Sequence, residues 1–201
     1  MDAVLAWLGS LPPAALYVIL AVVAATENFF PPIPADVIVA FGAFLAAREH
    51  RSPIPTIIAV VIGNVGGAVA MFAMGRRFGA EWIRRRLSVM GEGAEQRVRD
   101  WYGRFGLPAL FLSRFLPAVR AVVPPLAGAI RVPATGAIIA IASASTLWYT
   151  LLAVLAYRLG TNWSRVTAAI GQFQRTAAII AGAVVLVGLA AWWIVRRRKR
   201  A

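Results

Sequence analysis

Four uncharged apolar runs, at 3–26, 52–75, 132–157 and 176–195, limit this chain more than any other feature. A helix crossing roughly 30 Å of hydrocarbon needs about 20 apolar residues, and each run reaches that length. No soluble core in a chain of 201 residues needs four of them. Composition agrees: 60% of the residues are hydrophobic and 14% charged, against about 45–50% and about 25% in a soluble domain. The expected class is an all-α membrane protein, with 1–201 forming a single membrane domain.

The net charge of +13 would suit a nucleic-acid binder, but its placement does not. Arg84, Arg85 and Arg86 stand in a hydrophilic stretch, and a run of four arginines and one lysine at 196–200 follows an apolar segment. Cytoplasmic flanks of spans collect such residues, and each can attract anionic lipid headgroups by about 1 kcal/mol. Nucleic acid is not an expected partner. The chain has no cysteine, which excludes disulfides, thiol catalysis and cysteine metal sites. The single histidine, His50, lies beside Arg51 in a short polar loop and reads as a surface residue. No zinc set and no Ser-His-Asp triad can be assembled, so no metal, cofactor or enzymatic activity is expected. Residues 1–13 lack the Lys or Arg of a secretory signal.

Prolines divide the apolar sequence. The stretch 14–26 runs into Glu27-Asn28-Phe29-Phe30-Pro31-Pro32-Ile33-Pro34-Ala35-Asp36, which no helix interior accommodates. A second apolar limb of 11 residues, 37–47, follows; at 1.5 Å per residue it covers roughly half the bilayer core. Two half-length limbs describe a re-entrant hairpin over 14–47, the alternative being one complete span through 3–26. A transmembrane helix at 52–75 follows, with Gly63, Gly66, Gly67 and Ala70 allowing close helix contact. The segment 76–104 holds eight arginines and four acids, and near-helical spacing of Trp82, Ile83, Leu87 and Met90 marks part of it as an interfacial amphipathic helix. A second broken hairpin is expected at 105–130, interrupted by Pro117, Pro124 and Pro125. Transmembrane helices at 132–157 and 176–195 follow, separated by a polar loop at 158–175, and 196–201 forms a basic tail.

The halves echo each other. Arg77-Phe78-Gly79-Ala80-Glu81-Trp82 and Arg158-Leu159-Gly160-Thr161-Asn162-Trp163 both fit R-[FL]-G-x-x-W, and each follows a broken hairpin and one helix. Placing 76–104 and the C-terminal tail in the cytoplasm puts 48–51 and the N-terminus outside. The hairpins then enter from opposite leaflets, the inverted-repeat arrangement of secondary transporters.

Glu27, Asp36, Arg114 and Arg120 carry the candidate chemistry. An ionised group at the bilayer centre costs about 2.5–3.5 kcal/mol on insertion scales, so four of them need pairing or a wet cavity. Arg114 and Arg120 are six residues apart around Pro117 and can converge on one anion; the guanidinium fork suits phosphate and stays charged. Glu27 and Asp36, in a dehydrated site, can carry a proton at neutral pH. The other reading of these four residues is a set of salt bridges pinning the hairpins together, and the two readings are compatible. Pro31, Pro32, Pro34, Pro117, Pro124 and Pro125 are taken as hairpin breaks, and Asn64 and Trp148, at comparable places in the two spans, as packing residues.

On these residues the chain resembles the DedA family, also called SNARE-associated or VTT-domain proteins. The resemblance rests on Glu27-Asn28-x-x-Pro31-Pro32-Ile33-Pro34-Ala35-Asp36, Phe41-Gly42, Phe111-x-x-Arg114-Phe115-x-Pro117-x-x-Arg120, Ala127-Gly128 and the Gly-x-x-Trp endings, over about 14–165. It implies a bacterial inner-membrane lipid transporter with two opposed re-entrant hairpins, often dependent on the proton-motive force. It also implies that Glu27, Asp36, Arg114 and Arg120 are the functional residues. Where one subgroup of the family has Ser-Glu after Pro-Pro-Ile-Pro, this chain has Ala35-Asp36, an acid one methylene shorter. The expected activity is movement of a phosphate-headed lipid between leaflets, with Arg114 and Arg120 on the phosphate and Glu27 and Asp36 coupling it to protons or gating it. Undecaprenyl phosphate comes first, since a single phosphate suits two arginines, with phosphatidylethanolamine next. A proton-coupled exporter of small cations is the reading from another class, while a lipid phosphatase lacks a histidine near the arginines. Association of copies of the chain is left open.

Overall fold

The computed structural model describes residues 2–30, 35–86, 100, 102–103, 106–116, 119–159 and 163–198. The described residues form helices and turns. In chain order the helices are α1 (Asp2–Gly9), α2 (Pro13–Thr26), α3 (Ala35–Arg48), α4 (Ile54–Arg86), α5 (Leu107–Ser113), α6 (Val123–Ala129), α7 (Ala134–Arg158) and α8 (Trp163–Arg198). Two of them hold segments long and apolar enough to cross a membrane, Ile54–Gly79 and Ala134–Arg158.

Local chemistry sets these boundaries. Pro12 is extended (φ −57°, ψ 145°) and Pro13 opens α2, where a missing N–H costs nothing. The 3–26 run is thus split into α1 and α2 rather than forming one continuous helix. The Ser52 hydroxyl accepts the Ile54 amide (3.2 Å) at the start of α4. That helix passes the expected end at Gly75 and reaches Arg86, broken only by Gly79 at φ 74°, a conformation natural to glycine. The amphipathic segment expected at 76–104 therefore begins as a continuation of α4, and its portion 87–99 lies outside the described residues.

Two expectations are corrected. Pro124 and Pro125 do not break the second hairpin: both lie in the first turn of α6 and help start it. Pro31, Pro32, Pro34 and Pro117 lie outside the described residues. The polar loop expected at 158–175 is helical from Trp163 onward, in one helix with the 176–195 run. Its buried Val166 and Ile170 lie on one stripe with Phe173 and Ala177, all in the main apolar core, and that periodicity drives the helix.

Glycines show which way the limbs run. A Cβ on Gly63 would strike the Ala21 carbonyl and one on Gly67 the Ala25 carbonyl. Contacts that advance together in steps of four make α2 parallel to α4, with the end of α2 opposite the middle of α4. Gly42 of α3 faces Leu20 and Thr56, so α3 returns toward the end where α2 and α4 begin. The second pair of short helices lies toward the other end of α4. Leu107, opening α5, lies against Gly136 near the start of α7, and Arg76, late in α4, donates to the Val132 carbonyl (3.3 Å).

The repeat extends well beyond the six-residue motif. The first limb of each hairpin packs on the span of its own half, α2 on α4 and α5 on α7; the second packs on the span of the other half, α3 on α7 and α6 on α4. Exchanging the halves leaves this scheme unchanged. Both second limbs also end alike. The Arg51 amide reaches the Ala46 carbonyl (2.7 Å) and His50 the Ala47 carbonyl (3.2 Å); Val132 reaches Ala127 (3.0 Å) and Arg131 reaches Gly128 (3.0 Å). His50 (φ 53°) and Arg131 (φ 60°) hold the left-handed position of these Schellman turns. Every corresponding pair is 81 residues apart, the offset that also relates Arg77 to Arg158 and Trp82 to Trp163.

Candidate functional site

The hairpin ends converge on the middle of the bundle and bring all four ionisable residues together. Glu27 is the residue that ends α2 and Arg114 the residue that ends α5, equivalent places in the two hairpins. Asp36 lies in the first turn of α3, and Arg120 precedes α6. All four are buried, between 3% and 8% exposed.

Arg120 takes both acids. Its Nη1 donates to Asp36 Oδ1 (3.1 Å), and its Nη2 lies 3.0 Å from Asp36 Oδ2 and donates to Glu27 Oε1. The salt-bridge reading of the sequence is thus present in the geometry, but centred on one arginine. Asp36 gains two further donors, Trp148 Nε1 on Oδ1 (3.2 Å) and Gln174 Nε2 on Oδ2 (2.7 Å). Glu27 gains one, the Tyr149 hydroxyl on Oε2 (2.8 Å).

Arg114 makes no direct ion pair among the described residues. Its Nη1 donates to the Arg120 carbonyl (2.6 Å) and to Asn28 Oδ1 (3.4 Å). Its Nη2 donates to Asn64 Oδ1 and Ser145 Oγ (3.3 Å). Among the described residues a whole guanidinium charge, 4% exposed, is met directly by neutral oxygens. Asn64 also donates to the Tyr149 hydroxyl (3.0 Å), and Tyr149 donates to Glu27, so a hydrogen-bonded chain joins Arg114 to Glu27 through α4 and α7.

Sequence reasoning found the four ions and missed their neutral partners. Asn64 and Trp148, read as packing residues, both bond to the site. Asn28, Ser145, Tyr149 and Gln174 were not singled out for it. One signal was available: Asn64 and Ser145 are 81 residues apart, the offset of the repeat, and both receive Arg114.

A helical membrane protein whose broken elements bring paired charges to the middle of the bundle has the build of a transporter rather than an enzyme. The VTT domain model matches residues 33–158; the chain belongs to the VTT-domain family, the DedA family. It is 29% identical over 170 residues to a Lactococcus lactis protein named alkaline phosphatase-like, covering 81% of this chain and 79% of that one. It is 29% identical over 202 residues to an uncharacterized membrane protein of Mycobacterium tuberculosis, covering 96% and 88%. To undecaprenyl phosphate transporter A of Bacillus subtilis it is 25% identical over 168 residues, covering 83% of each. No solved structure matches the chain.

Proposed function

We propose that this protein moves a phosphate-headed lipid between membrane leaflets, undecaprenyl phosphate before phosphatidylethanolamine, coupled to protons. The observation that carries the reading is Arg114, a buried cation whose direct partners are all neutral. A lipid phosphate supplies the anion that Arg114 lacks, and the neighbouring Arg120 completes a two-arginine grip. The name of the Bacillus subtilis relative supports the choice of lipid. In this reading the hairpins are re-entrant and enter from opposite leaflets, 176–195 is a third span, and the C-terminus is cytoplasmic in a bacterial inner membrane. Arg84 to Arg86 and 196–200 then lie against anionic headgroups. Glu27 and Asp36 face Arg120, where an arriving phosphate competes with them and frees a carboxylate to take a proton.

The test is reconstitution in liposomes, following inward movement of undecaprenyl phosphate and of phosphatidylethanolamine with and without a pH gradient. Wild type is expected to move undecaprenyl phosphate faster under the gradient. Arg114→Lys keeps the charge but loses the fork; at about 1.5–3 kcal/mol for hydrogen bonds to charged groups, the rate should fall roughly 10- to 100-fold at normal protein levels. Equal rates for wild type, Arg114→Lys and protein-free vesicles overturn the proposal.

A further inference from the structure

The two carboxylates of the site are held in different ways, and the difference divides their labour. Asp36 accepts three hydrogen bonds, from Arg120 and Trp148 on Oδ1 and from Gln174 on Oδ2, and Arg120 Nη2 lies 3.0 Å from Oδ2 as an ion-pair contact. Each oxygen of Glu27 accepts from one, Arg120 on Oε1 and Tyr149 on Oε2. The partners also differ in kind. Indole and guanidinium groups only donate, so a proton on Oδ1 of Asp36 would face N–H groups with nothing to accept it, and one on Oδ2 would be accepted only if the Gln174 amide turned over and withdrew its donor. The Tyr149 hydroxyl both donates and accepts. A hydroxyl that now donates to Glu27 can therefore turn and accept from a protonated Glu27 instead.

Backbone placement points the same way. Asp36 lies in the first turn of α3, where the helix dipole favours a negative charge. Glu27 ends α2, where it does not. The ionisable groups facing Glu27 are Arg120 and Arg114 from the second hairpin, Asp36 from α3 and Tyr149 from α7; α4 contributes the neutral Asn64 among the described residues.

We propose that Glu27 is the single proton-exchanging carboxylate of the site, with Tyr149 as its reversible hydrogen-bond partner, while Asp36 keeps its ion pair with Arg120 throughout the cycle. The step adds one proton to the Glu27 carboxylate and leaves Tyr149 neutral. The site then holds two arginine cations against the one Asp36 anion, an excess of one positive charge, which a phosphate bearing one negative charge balances. Transport is then electroneutral, one proton moving together with each singly charged headgroup. The hydrogen-bonded chain from Arg114 through Asn64 and Tyr149 tells Glu27 that the anion has arrived. Gln174 is a positioning residue: it reaches Asp36 from α8, beyond the matched domain, and orients that carboxylate.

This deepens the transport reading and rests on it for the meaning of the proton, but its test needs no lipid movement. Infrared difference spectra of the reconstituted protein, without added lipid phosphate, are recorded as the pH is lowered from about 8 to about 6, above the range in which exposed carboxylates take up protons. Wild type should show one protonated-carboxyl band. That band should shift when glutamate is supplied as its carboxyl-¹³C form and stay fixed when aspartate is so labelled, an assignment that requires no mutation. It should vanish in Glu27→Gln, remain in Asp36→Asn, and change frequency in Tyr149→Phe, which removes its hydrogen-bond partner. A band that follows labelled aspartate, survives Glu27→Gln, or is absent from wild type overturns the proposal. A glutamate band in a protein that moves no lipid would instead overturn the proposed function and leave the assignment of Glu27 standing.

Discussion

The first hairpin carries Glu27 and Asp36 into the middle of the bundle and the second carries Arg114 and Arg120, yet their second limbs close with the same left-handed turn 81 residues apart. Limbs and tips are held by different physics. The limbs press glycines against backbone carbonyls, Gly63 on Ala21 and Gly128 on Phe72, contacts that depend on shape and that no solute can replace. The tips meet through hydrogen bonds and ion pairs, which another anion can exchange. A repeated scaffold with opposite charges on its two tips therefore has a fixed frame and a substitutable centre. The two arginines sharpen the point: Arg120 holds the centre together, whereas Arg114 brings a charge that no described residue of the centre directly pairs.

The largest effect that would break this comparison is expected at Arg120. Arg120→Gln leaves two buried carboxylates without a cation, which costs about 3–5 kcal/mol. Membrane-extracted protein should lose most of its thermal stability, and protein yield and melting in detergent measure this. Stability equal to wild type would mean the centre does not need its salt bridges. Next come the limbs. Gly63→Val and Gly128→Val each force a side chain into backbone and should cost about 1–3 kcal/mol. The same melting assay should show comparable losses for the first and second hairpins; a loss confined to one would show that the hairpins are not gripped alike. Smallest is Gln174→Leu, which removes one donor from Asp36 while two hydrogen bonds and the ion pair with Arg120 remain. It should cost about 1 kcal/mol and leave yield unchanged, and a loss as large as that of Arg120→Gln would make α8 a main support of the site.

Much of this was legible in the chain because membrane burial makes charge conspicuous. Glu27, Asp36, Arg114 and Arg120 stand out since an ion in apolar sequence has few explanations. The 81-residue offset was legible from two tryptophans and two arginines at matched spacing. The neutral partners were hidden for the converse reason: Asn64, Ser145, Tyr149 and Trp148 are inexpensive in a packed helix, so their presence in a span announces nothing. That both acids choose Arg120 depends on limb directions that sequence spacing leaves open. Helix α8 was misread over 163–175 because Arg165, Gln172, Gln174 and Arg175 dominated the composition, although Val166, Ile170 and Phe173 already carried the helical period. The adjacent prolines 124 and 125 were misread because a proline that starts a helix and one that breaks it look alike until the helix beyond is known.

His50 and Arg131 have a practical consequence. Both occupy the place in a Schellman turn that glycine usually fills. Histidine tolerates a positive φ better than arginine does, so the arginine turn carries the greater local strain. Arg131 is exposed and its side chain bonds to none of the site residues. Arg131→Gly should therefore raise the melting point of the purified protein by relieving up to about 1 kcal/mol, with transport unchanged. For a small membrane protein that must survive detergent to be studied at all, that turn is a place to engineer durability without touching the machinery.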